Sequence, residues 1–344
     1  MERYLGLDVH RDSCSLCVLS EAGKQVQRQV VETNGEALVS FVRQLPGRLH
    51  LCLEEGEWSQ WLYEVLSPHV AEIVVVWAER RAPAKSDALD ALELAERLRT
   101  GRLGRVVYKA PRRYRRLREL VRVYGLLTQD VTRSKNRLKS LVRRRGIHCT
   151  GDGIYDPQQR DGWVSQLPAE LRSIGELLGV ELDCAAELKG EAEEAMVLEA
   201  RRYRIARILQ TLPGLGPIRV AQLLPIVVTP HRFRTKRQFW SYCGLGIVTR
   251  SSADWVQVDG HWTRARRPMT RGLNRNFNRT LKAVFKSAAL TVIIHRMDNQ
   301  FLTAYRRLCE QGTKPNLAQV TVARKLAAAA LAMWKNEEVY DPKR

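Results

Sequence analysis

The sequence contains no long hydrophobic run. No apolar stretch approaches the roughly 18 residues that a membrane-spanning helix needs. A secretory signal peptide is also missing, because the first residues, MERYLGLDVH, are charged and then strand-like. Internal repeats and low-complexity tails are absent as well. These absences exclude a membrane-embedded class and predict a cytoplasmic protein with no membrane partner.

Cysteine is sparse and irregularly placed. The seven cysteines are scattered and odd in number, which suits a reducing compartment better than a disulfide framework. Cys14 and Cys17 form a C-x-x-C, but they lie in a predicted strand, where positions three apart point to opposite faces. No second Cys/His pair follows at ligand spacing. We therefore expect structural cysteines and no zinc or redox centre.

Acidic residues are few relative to basic ones. The 344 residues include 57 Lys plus Arg and 37 Asp plus Glu, a formal net charge of +20. The self-repulsion of such a chain is relieved by a polyanion, usually a nucleic acid, with an anionic membrane surface as the alternative. Hydrophobic residues make up 44%, which argues against global disorder and allows two or three domains.

The first hundred residues alternate between strand and helix patterns. Predicted strands are YLGLDVH, CSLCVLSEAG, KQVQRQVVET, LHLCLEE and AEIVVVWA, and predicted helices are residues 35–45, WSQWLYEVLSP and residues 85–100. The order β-β-β-α-β-α-β-α is typical of a mixed-sheet α/β domain.

The residue pattern changes near Pro111. From there, apolar residues recur at helical spacing, and basic residues fill most positions between them. After a glycine-containing loop, a second long helix is predicted over roughly 181–211. Such a pair indicates either an antiparallel coiled-coil arm or a plain helical bundle. The remainder predicts a mostly helical domain. The fold class is therefore α/β plus all-α, with domains at 1–110, 111–205 and 206–344.

Four carboxylates are candidates for a metal site. Asp87 and Asp90 are three residues apart on a predicted helix and share a face. Asp8 lies in the first strand, and Glu54 closes the strand LHLCLE. Converging carboxylates raise each other's pKa, and a divalent cation such as Mg²⁺ or Mn²⁺ removes that conflict. Two such ions clamp a phosphate in two-metal catalysis.

Each acidic residue also has an ordinary structural explanation. Asp87 can cap its helix, and Asp90 can pair with a Lys or Arg side chain. Glu55 is barely separated from Glu54 by pattern alone. We prefer Glu54 because alternation places it on one face with Cys52, whereas Glu55 begins a turn.

The stretch PGLGPIRVAQLL predicts a helix, a tight glycine turn and a second helix. This pattern is typical of helix-hairpin-helix motifs that bind duplex backbones, although a simple turn between helices fits equally well. Arg219, Lys236 and Arg237 favour contact with a nucleic-acid backbone. The tryptophans at positions 58, 61, 240 and 255 either stack on bases or fill cores, and we expect core packing for most of them.

Several motifs together resemble one known family. GLDVH, CLEEG and KSDALDA resemble the acidic motifs of the DEDD-type insertion-sequence transposases that act as bridge-RNA-guided serine recombinases. LPGLGPIRVAQLL, FWSYCGLGIVTRSSADW and RGLNRNFNRTL resemble their carboxyl-terminal region. The resemblance implies an RNase H-like first domain, a coiled-coil arm and a helical transposase domain. It assigns Asp8, Glu54, Asp87 and Asp90 as metal ligands and catalytic residues.

The resemblance also implies a serine nucleophile that forms a covalent link to DNA. The family often has a glycine after the nucleophilic serine, whereas this chain has alanine in Ser251-Ser252-Ala253. Both Ser251 and Ser252 are therefore candidates for the nucleophile. Metal carboxylates from the other domain or another subunit are expected to activate it. Arginines expected to hold the DNA phosphates are Arg250, Arg266, Arg267, Arg271 and Arg275.

The partners implied are donor and target DNA, a guide (bridge) RNA and further copies of the chain, as a homodimer or homotetramer. The setting implied is a bacterial or archaeal nucleoid. Two alternatives stay open from the residues: a metal-dependent nuclease of the Holliday-junction type without a covalent step, and a non-catalytic basic scaffold that binds RNA.

Overall fold

A computed structural model describes residues 1–78, 87–110, 112–250, 255–264 and 269–342, with the backbone alone at 87–88, 249–250, 264 and 269–271. The chain divides into two compact units, Met1–Arg113 and Tyr114–Arg344, which are described one after the other. Across these residues, none of the helices is both long enough and apolar enough to cross a bilayer.

The first unit contains strands and helices in the order that the sequence predicts. Its strands are β1 (Glu2–Val9), β2 (Ser13–Ser20), β3 (Gln25–Glu32), β4 (Arg48–Glu54), β5 (Glu72–Val76) and β6 (Val106–Val107). Its α-helices are α1 (Gly35–Gln44), α2 (Ser59–Leu66) and α3 (Asp87–Arg99). The predicted β-β-β-α-β-α-β-α order is therefore confirmed, followed by one short extra strand.

The six strands form one mixed sheet in the order β3-β2-β1-β4-β5-β6. β1 pairs antiparallel with β2 and parallel with β4, and β4 pairs parallel with β5. Parallel neighbours point their carboxyl ends to the same edge of a sheet. The carboxyl ends of β1, β4 and β5 therefore lie side by side.

Helices cover both faces of this sheet. On one face, Leu5 and Leu7 of β1 belong to a buried cluster that includes side chains of α1 and α2. On the other face, α3 buries Ala91, Leu94, Ala95 and Leu98, which follow helical i, i+3, i+4, i+7 spacing. Alternation along β1 thus directs Leu5 and Leu7 to one layer, and the intervening residues to α3.

The prediction that Cys14 and Cys17 point to opposite faces of their strand is confirmed. Cys14 and Cys17 lie on β2 in different buried clusters, one on each face of the sheet. All seven cysteines are free thiols. Burial raises the pKa of both the Cys14 and the Cys17 thiol, so they behave as small apolar side chains.

A charged cluster ties together the amino-terminal ends of the parallel strands. His50 Nε2 lies 2.6 Å from Glu2 Oε2, its Nδ1 lies 3.0 Å from Glu72 Oε2, and its ring stacks on Tyr4 at 5.2 Å. Burial opposes a charge on His50, but the hydrogen bonds to the two carboxylates raise its pKa above the ordinary value. The cluster thereby links β1, β4 and β5 electrostatically.

The second unit is mostly helical. Its α-helices are α4 (Arg115–Arg143), α5 (Pro157–Val164), α6 (Ala169–Arg201), α7 (Arg204–Gln210), α8 (Pro217–Val227), α9 (Lys236–Tyr242), α10 (Arg279–Ile294), α11 (Gln300–Glu310) and α12 (Pro315–Asn336). Its short strands are β7 (Ile247–Arg250), β8 (Trp255–Val258), β9 (His261–Arg264) and β10 (Met269–Leu273). β10 pairs with β7, and β8 pairs with β9.

α4 and α6 pack as an antiparallel pair. Arg116 lies near Glu199 at 3.7 Å, while the Lys189 ammonium lies 5.3 Å from the Tyr124 ring, and Arg137 contacts Glu181 farther along. The expectation of a second helix over 181–211 is wrong at both ends. α6 begins at residue 169 and ends at 201, and a separate α7 follows.

α5 replaces part of the expected loop between the long helices. Arg160 on α5 is buried and donates to both carboxylate oxygens of Asp183 on α6 at 2.6 Å. Its Nε and Nη2 also donate to the carbonyls of Ile154 and Tyr155. Gly179 of α6 leaves the space that this side chain fills, since a Cβ there would lie 2.8 Å from Arg160 Nη1.

The four tryptophans singled out by sequence divide evenly. Trp61 packs partly buried against the core of the first unit, and Trp240 Nε1 donates to the Arg324 carbonyl at 2.8 Å. Trp58 and Trp255 are exposed, by 41% and 57% of their surface. The expectation of core packing is thus wrong for these last two.

Candidate active site

Asp8 and Glu54 lie side by side at the carboxyl ends of two parallel strands. In the β1–β4 register Gly6 pairs with Cys52 and Leu7 with Leu53, so the next residues along are Asp8 and Glu54. Neighbouring strands are about 4.8 Å apart. Both residues share the sheet face of Gly6 and Cys52, which is the face that α3 covers.

Gly6 allows α3 to approach this face closely. A Cβ on Gly6 would lie 1.9 Å from the carbonyl oxygen of Ala91 and 2.6 Å from the amide nitrogen of Ala95. Only a residue without a side chain permits this contact between strand and helix backbones. The sequence analysis did not single out Gly6, and the signal that could have pointed to it is a glycine two residues before Asp8 on the same face.

The direction of α3 brings its first turn to the carboxylate edge. At its last turn, Arg99 donates to the carbonyl of Glu21, just after β2 ends at Ser20. Ser20 pairs with Arg3 at the start of β1. The first turn of α3 therefore lies toward the opposite end of β1, where Asp8 is. Asp90 belongs to this turn and is half-buried.

The residues of the predicted site belong to elements that meet at one edge of the sheet, and the described part does not show them as one complete group. Asp87 is the first residue of α3, but its side chain lies outside the described residues. Among the side chains that are described, no group of three or more His, Cys, Asp or Glu residues is placed to hold a metal ion. The described part supplies Asp8, Glu54 and Asp90 as carboxylates from three neighbouring elements.

The donor chemistry of these residues fits a hard divalent cation. Carboxylate oxygens are the ligands that Mg²⁺ and Mn²⁺ prefer. Asp8 and Glu54 follow the last paired residues of β1 and β4, so a cation that reached both carboxylates would offset the repulsion between their negative charges. Asp8 is only 17% exposed, and its Oδ2 lies 3.1 Å from His10 Nε2. His10 therefore positions one carboxylate oxygen of Asp8.

Glu55 differs from Glu54 in its contacts. Its carboxylate forms an ion pair with Lys109, which is buried, and accepts a hydrogen bond from Ser59 Oγ at 3.1 Å. Lys109 Nζ also donates to Ser59 Oγ at 2.7 Å, and the Glu55 amide donates to the Val76 carbonyl at 2.7 Å. Glu55 is thereby neutralised within the fold. This supports the choice of Glu54 as the partner of Asp8.

The glycine turn of the second unit has the predicted local structure. α7 is followed by Gly214, with φ of +82°, and then by α8. A Cβ on Gly214 would lie 2.5 Å from the Ala288 carbonyl oxygen, so glycine is required both for the turn and for its contact with α10.

Arg219 stabilises this turn through hydrogen bonds inside the protein. Its guanidinium donates to the Gly214 carbonyl at 2.8 Å, to Ser287 Oγ at 3.0 Å and to Thr291 Oγ1 at 2.9 Å. Burial lowers the pKa of Arg219 below its ordinary value. All three donor nitrogens thus have acceptors in the protein, and contact of Arg219 with a nucleic-acid backbone stays a prediction.

The remaining basic candidates are only partly described. Lys236 and Arg237 are exposed in the first turn of α9, and Arg275 is exposed after β10. The side chains of Arg250 and Arg271 lie outside the described residues, as do Ser251, Ser252, Arg266 and Arg267 entirely. The assignment of these residues to DNA, and of either serine as nucleophile, stays a prediction.

Comparisons with known proteins converge on one family. A transposase family model of the DEDD IS110 type matches residues 5–145, and a model described as Transposase IS116/IS110/IS902 family matches residues 206–306. The first match contains all four predicted carboxylates, and the second contains the glycine turn and both candidate serines.

Two curated relatives carry transposase names. The transposase for insertion sequence element IS1533 of Leptospira borgpetersenii is 24% identical over 174 residues, which is 48% of this chain and 50% of that protein. An inferred transposase of Sinorhizobium fredii, y4pF/y4sB, is 23% identical over 345 residues, which covers 98% of this chain and 85% of that protein. This chain therefore belongs to the IS110-type family of insertion-sequence transposases.

Proposed function

We propose that this protein recombines the DNA of an insertion sequence, guided by an RNA and using a divalent metal and a serine nucleophile. The observation that carries the metal-dependent part is the register of β1 and β4, which sets Asp8 beside Glu54 below the first turn of α3. Family membership supports DNA as the substrate.

The proposal assigns a role to each part of the fold. The six-stranded mixed sheet, with α3 on the carboxylate face, corresponds to an RNase H-like domain. The antiparallel pair α4 and α6 corresponds to the coiled-coil arm, and the turn between α7 and α8 to a helix-hairpin-helix-like element. The formal charge of +20 supports a nucleic-acid partner for such surfaces.

In this proposal Asp8, Glu54, Asp87 and Asp90 hold Mg²⁺ or Mn²⁺. When bound, the ion supplies positive charge that stabilises the extra negative charge on the phosphodiester during displacement. His10 positions Asp8 through its Nε2 contact. Lys109 keeps the neighbouring Glu55 paired, so that Glu55 does not compete for the cation.

The serine step involves Ser251 or Ser252. The serine Oγ loses its proton as it forms a bond to phosphorus, one bridging P–O bond of the DNA breaks, and the released DNA oxygen gains a proton. The arginines at positions 250, 266, 267, 271 and 275 are proposed to bind the surrounding phosphates. The covalent phosphoserine conserves the energy of the broken bond for rejoining.

The guide RNA and the oligomer complete the proposal. Pairing between RNA and DNA would choose the donor and target sites, because the described basic residues suit phosphates more than particular bases. Exchange between two duplexes favours a homodimer or homotetramer. Such partners would bring the protein to a bacterial or archaeal nucleoid.

A metal-dependent nuclease is the second candidate, and the same carboxylate edge supports it. A nuclease of this type activates water at the metal and leaves free DNA ends without a protein–DNA bond. The non-catalytic RNA-binding scaffold is distinguished from both by its indifference to Asp87→Asn combined with Asp90→Asn.

The test is formation of an SDS-resistant protein–DNA adduct in the presence of guide RNA and Mg²⁺. We expect the wild type to form the adduct and Ser251→Ala combined with Ser252→Ala to lose it. Asp8→Asn should also lose it, whereas Asp12→Asn should not, because the Asp12 side chain is 94% exposed on the turn after β1. Chelation by EDTA should stop the reaction, and Mn²⁺ should restore it.

Each alternative predicts a different pattern. An adduct that survives loss of both serines refutes the serine mechanism. Cleavage to free ends that depends on Asp8 but not on the serines assigns the nuclease. Full activity in the combined Asp87 and Asp90 variant refutes a carboxylate role.

A further inference from the structure

A small β-hairpin in the second unit presents two tryptophans on one face. β8 and β9 pair with the register Trp255 to Arg264 and Gln257 to Trp262. Residues that pair directly, or that lie two apart on a strand, point to the same side of a sheet. Trp255, Gln257 and Trp262 therefore share one face, with the two tryptophans as diagonal neighbours.

The turn fixes this hairpin in a defined shape. Asp259 and Gly260 both have positive φ, of 50° and 78°, which is the arrangement of a tight two-residue hairpin turn. Diagonal neighbours across two strands are about 7–8 Å apart. That spacing is about twice the 3.4 Å rise between successive bases of a DNA strand. The face can therefore receive stacked bases on or between the two indoles.

Both tryptophans are strongly exposed. Trp255 exposes 57% of its surface and Trp262 exposes 66%, and every residue of β8 is exposed. Exposed aromatic patches of this kind are interaction sites more often than the rest of a protein surface is.

The charge around the hairpin favours a polyanion. Between positions 250 and 275 the sequence has six arginines and two aspartates, and the whole chain carries a formal charge of +20. A second copy of the chain would bring the same positive charge to this face and be repelled. Aromatic rings beside basic residues are the recognition pattern of unpaired nucleic-acid strands, because every base has a stacking face.

The position of the hairpin in the chain favours DNA. Trp255 is three residues after Ser252, so their Cα atoms are at most about 11 Å apart in any conformation. Strand exchange at the serine would leave DNA bases transiently unpaired near this point. We propose that Trp255 and Trp262 stack on unpaired bases of the exchanged DNA strand, an inference that rests on the proposed recombinase function.

The test compares DNA with and without unpaired bases. Fluorescence anisotropy would measure the affinity of the full chain for a paired duplex, for the same duplex with a short unpaired bubble, and for single-stranded RNA of the bubble sequence. We expect the wild type to prefer the bubble. Trp255→Ala combined with Trp262→Ala should weaken bubble binding by about tenfold to a hundredfold and leave duplex binding unchanged.

Two matched variants control for folding of the hairpin. Trp255→Phe combined with Trp262→Phe should retain much of the bubble preference, because phenylalanine also stacks. Val256→Thr combined with Val258→Thr changes the opposite face of the same strand, and should bind like the wild type. A 2-aminopurine base in the bubble should lose fluorescence on binding to the wild type and not on binding to the alanine variant.

The outcomes separate this inference from the function on which it rests. A bubble preference that persists in the alanine variant refutes base stacking, as does an equal loss in the Val256 and Val258 variant. If the alanine variant loses affinity for RNA alone, the face binds RNA instead of DNA. If the variant keeps its affinity for nucleic acid but no longer forms an oligomer, the face serves self-association. Failure of the wild type to form any adduct would count against the recombinase function, which bubble binding does not measure.

Discussion

Replacing Gly6 with alanine should disturb the candidate active site through backbone contact alone. The added Cβ would fall 1.9 Å from the Ala91 carbonyl oxygen and 2.6 Å from the Ala95 amide nitrogen. These two atoms belong to the same i to i+4 step of α3, so the methyl group meets a helix hydrogen bond and not a side chain that could rotate away.

The size of the effect follows from this distance. Ordinary contact begins near 3.4 Å, so α3 must move from β1 by about 1.5 Å. Overpacking of this kind costs about 1–3 kcal/mol of unfolding free energy. The same movement carries Asp87 and Asp90 away from Asp8, and a misplacement of about 1 Å can cost about a hundredfold in rate.

Two measurements test the prediction for Gly6. Urea unfolding should show the loss of stability, and the rate of adduct formation should fall by about a hundredfold or more. Gly56→Ala is the matched control, because a Cβ at Gly56 meets no atom within 4 Å. A Gly6→Ala protein with unfolding free energy within about 0.5 kcal/mol of wild type and an unchanged rate would refute the reasoning.

Three further predictions concern buried or paired side chains. Lys109→Met should lower the unfolding free energy by about 1–3 kcal/mol in denaturant melts, because the Glu55 carboxylate loses its cation. His50→Gln should remove stability that is fully present below about pH 6.5 and is lost as pH rises through the raised pKa of His50, measured by urea melts at a series of pH values. Arg160→Lys should lower the unfolding free energy by about 1–3 kcal/mol in denaturant melts, because an ammonium cannot reproduce the paired bonds to Asp183.

Exposed residues of the same types serve as controls for these three. Lys24→Met, His148→Gln and Arg133→Lys alter side chains at exposed positions and should each change stability by less than about 0.5 kcal/mol. A Lys109 or Arg160 variant as stable as its control would contradict the assigned contact. A stability difference for His50→Gln that grows with rising pH would contradict the direction of its pKa shift.

The order of elements in the first unit was predictable because period-two and helical patterns are local. The start of helix α6 was not, since Gly175 and Gly179 weaken the local helix signal. Their reason lies in packing: a Cβ on Gly175 would lie 3.1 Å from Leu167 and Val164 side-chain atoms, and Gly179 leaves space for Arg160. Contacts of this kind depend on residues distant in sequence.

The acidic edge was predictable in outline for a similar reason. Asp8 and Glu54 end strand patterns, and parallel strands present their ends together. The roles of Gly6, His10 and Lys109 were not predictable, because each depends on what a neighbouring element brings close. Lys109 is over fifty residues from Glu55, and only the folded sheet shows that they form an ion pair.

The internal bonds of Arg219 have a consequence for how ionic strength should act on this protein. A cation that neutralises a phosphate displaces condensed counterions, and each such contact steepens the fall of affinity with added salt by about one unit in a logarithmic plot. Arg219 donates from three nitrogens to the protein itself. Arg219 would then contribute to DNA affinity by holding the shape of the glycine turn, and this contribution would not depend on salt concentration. The salt-dependent part of the affinity would come from Lys236 and Arg237, which are exposed on α9.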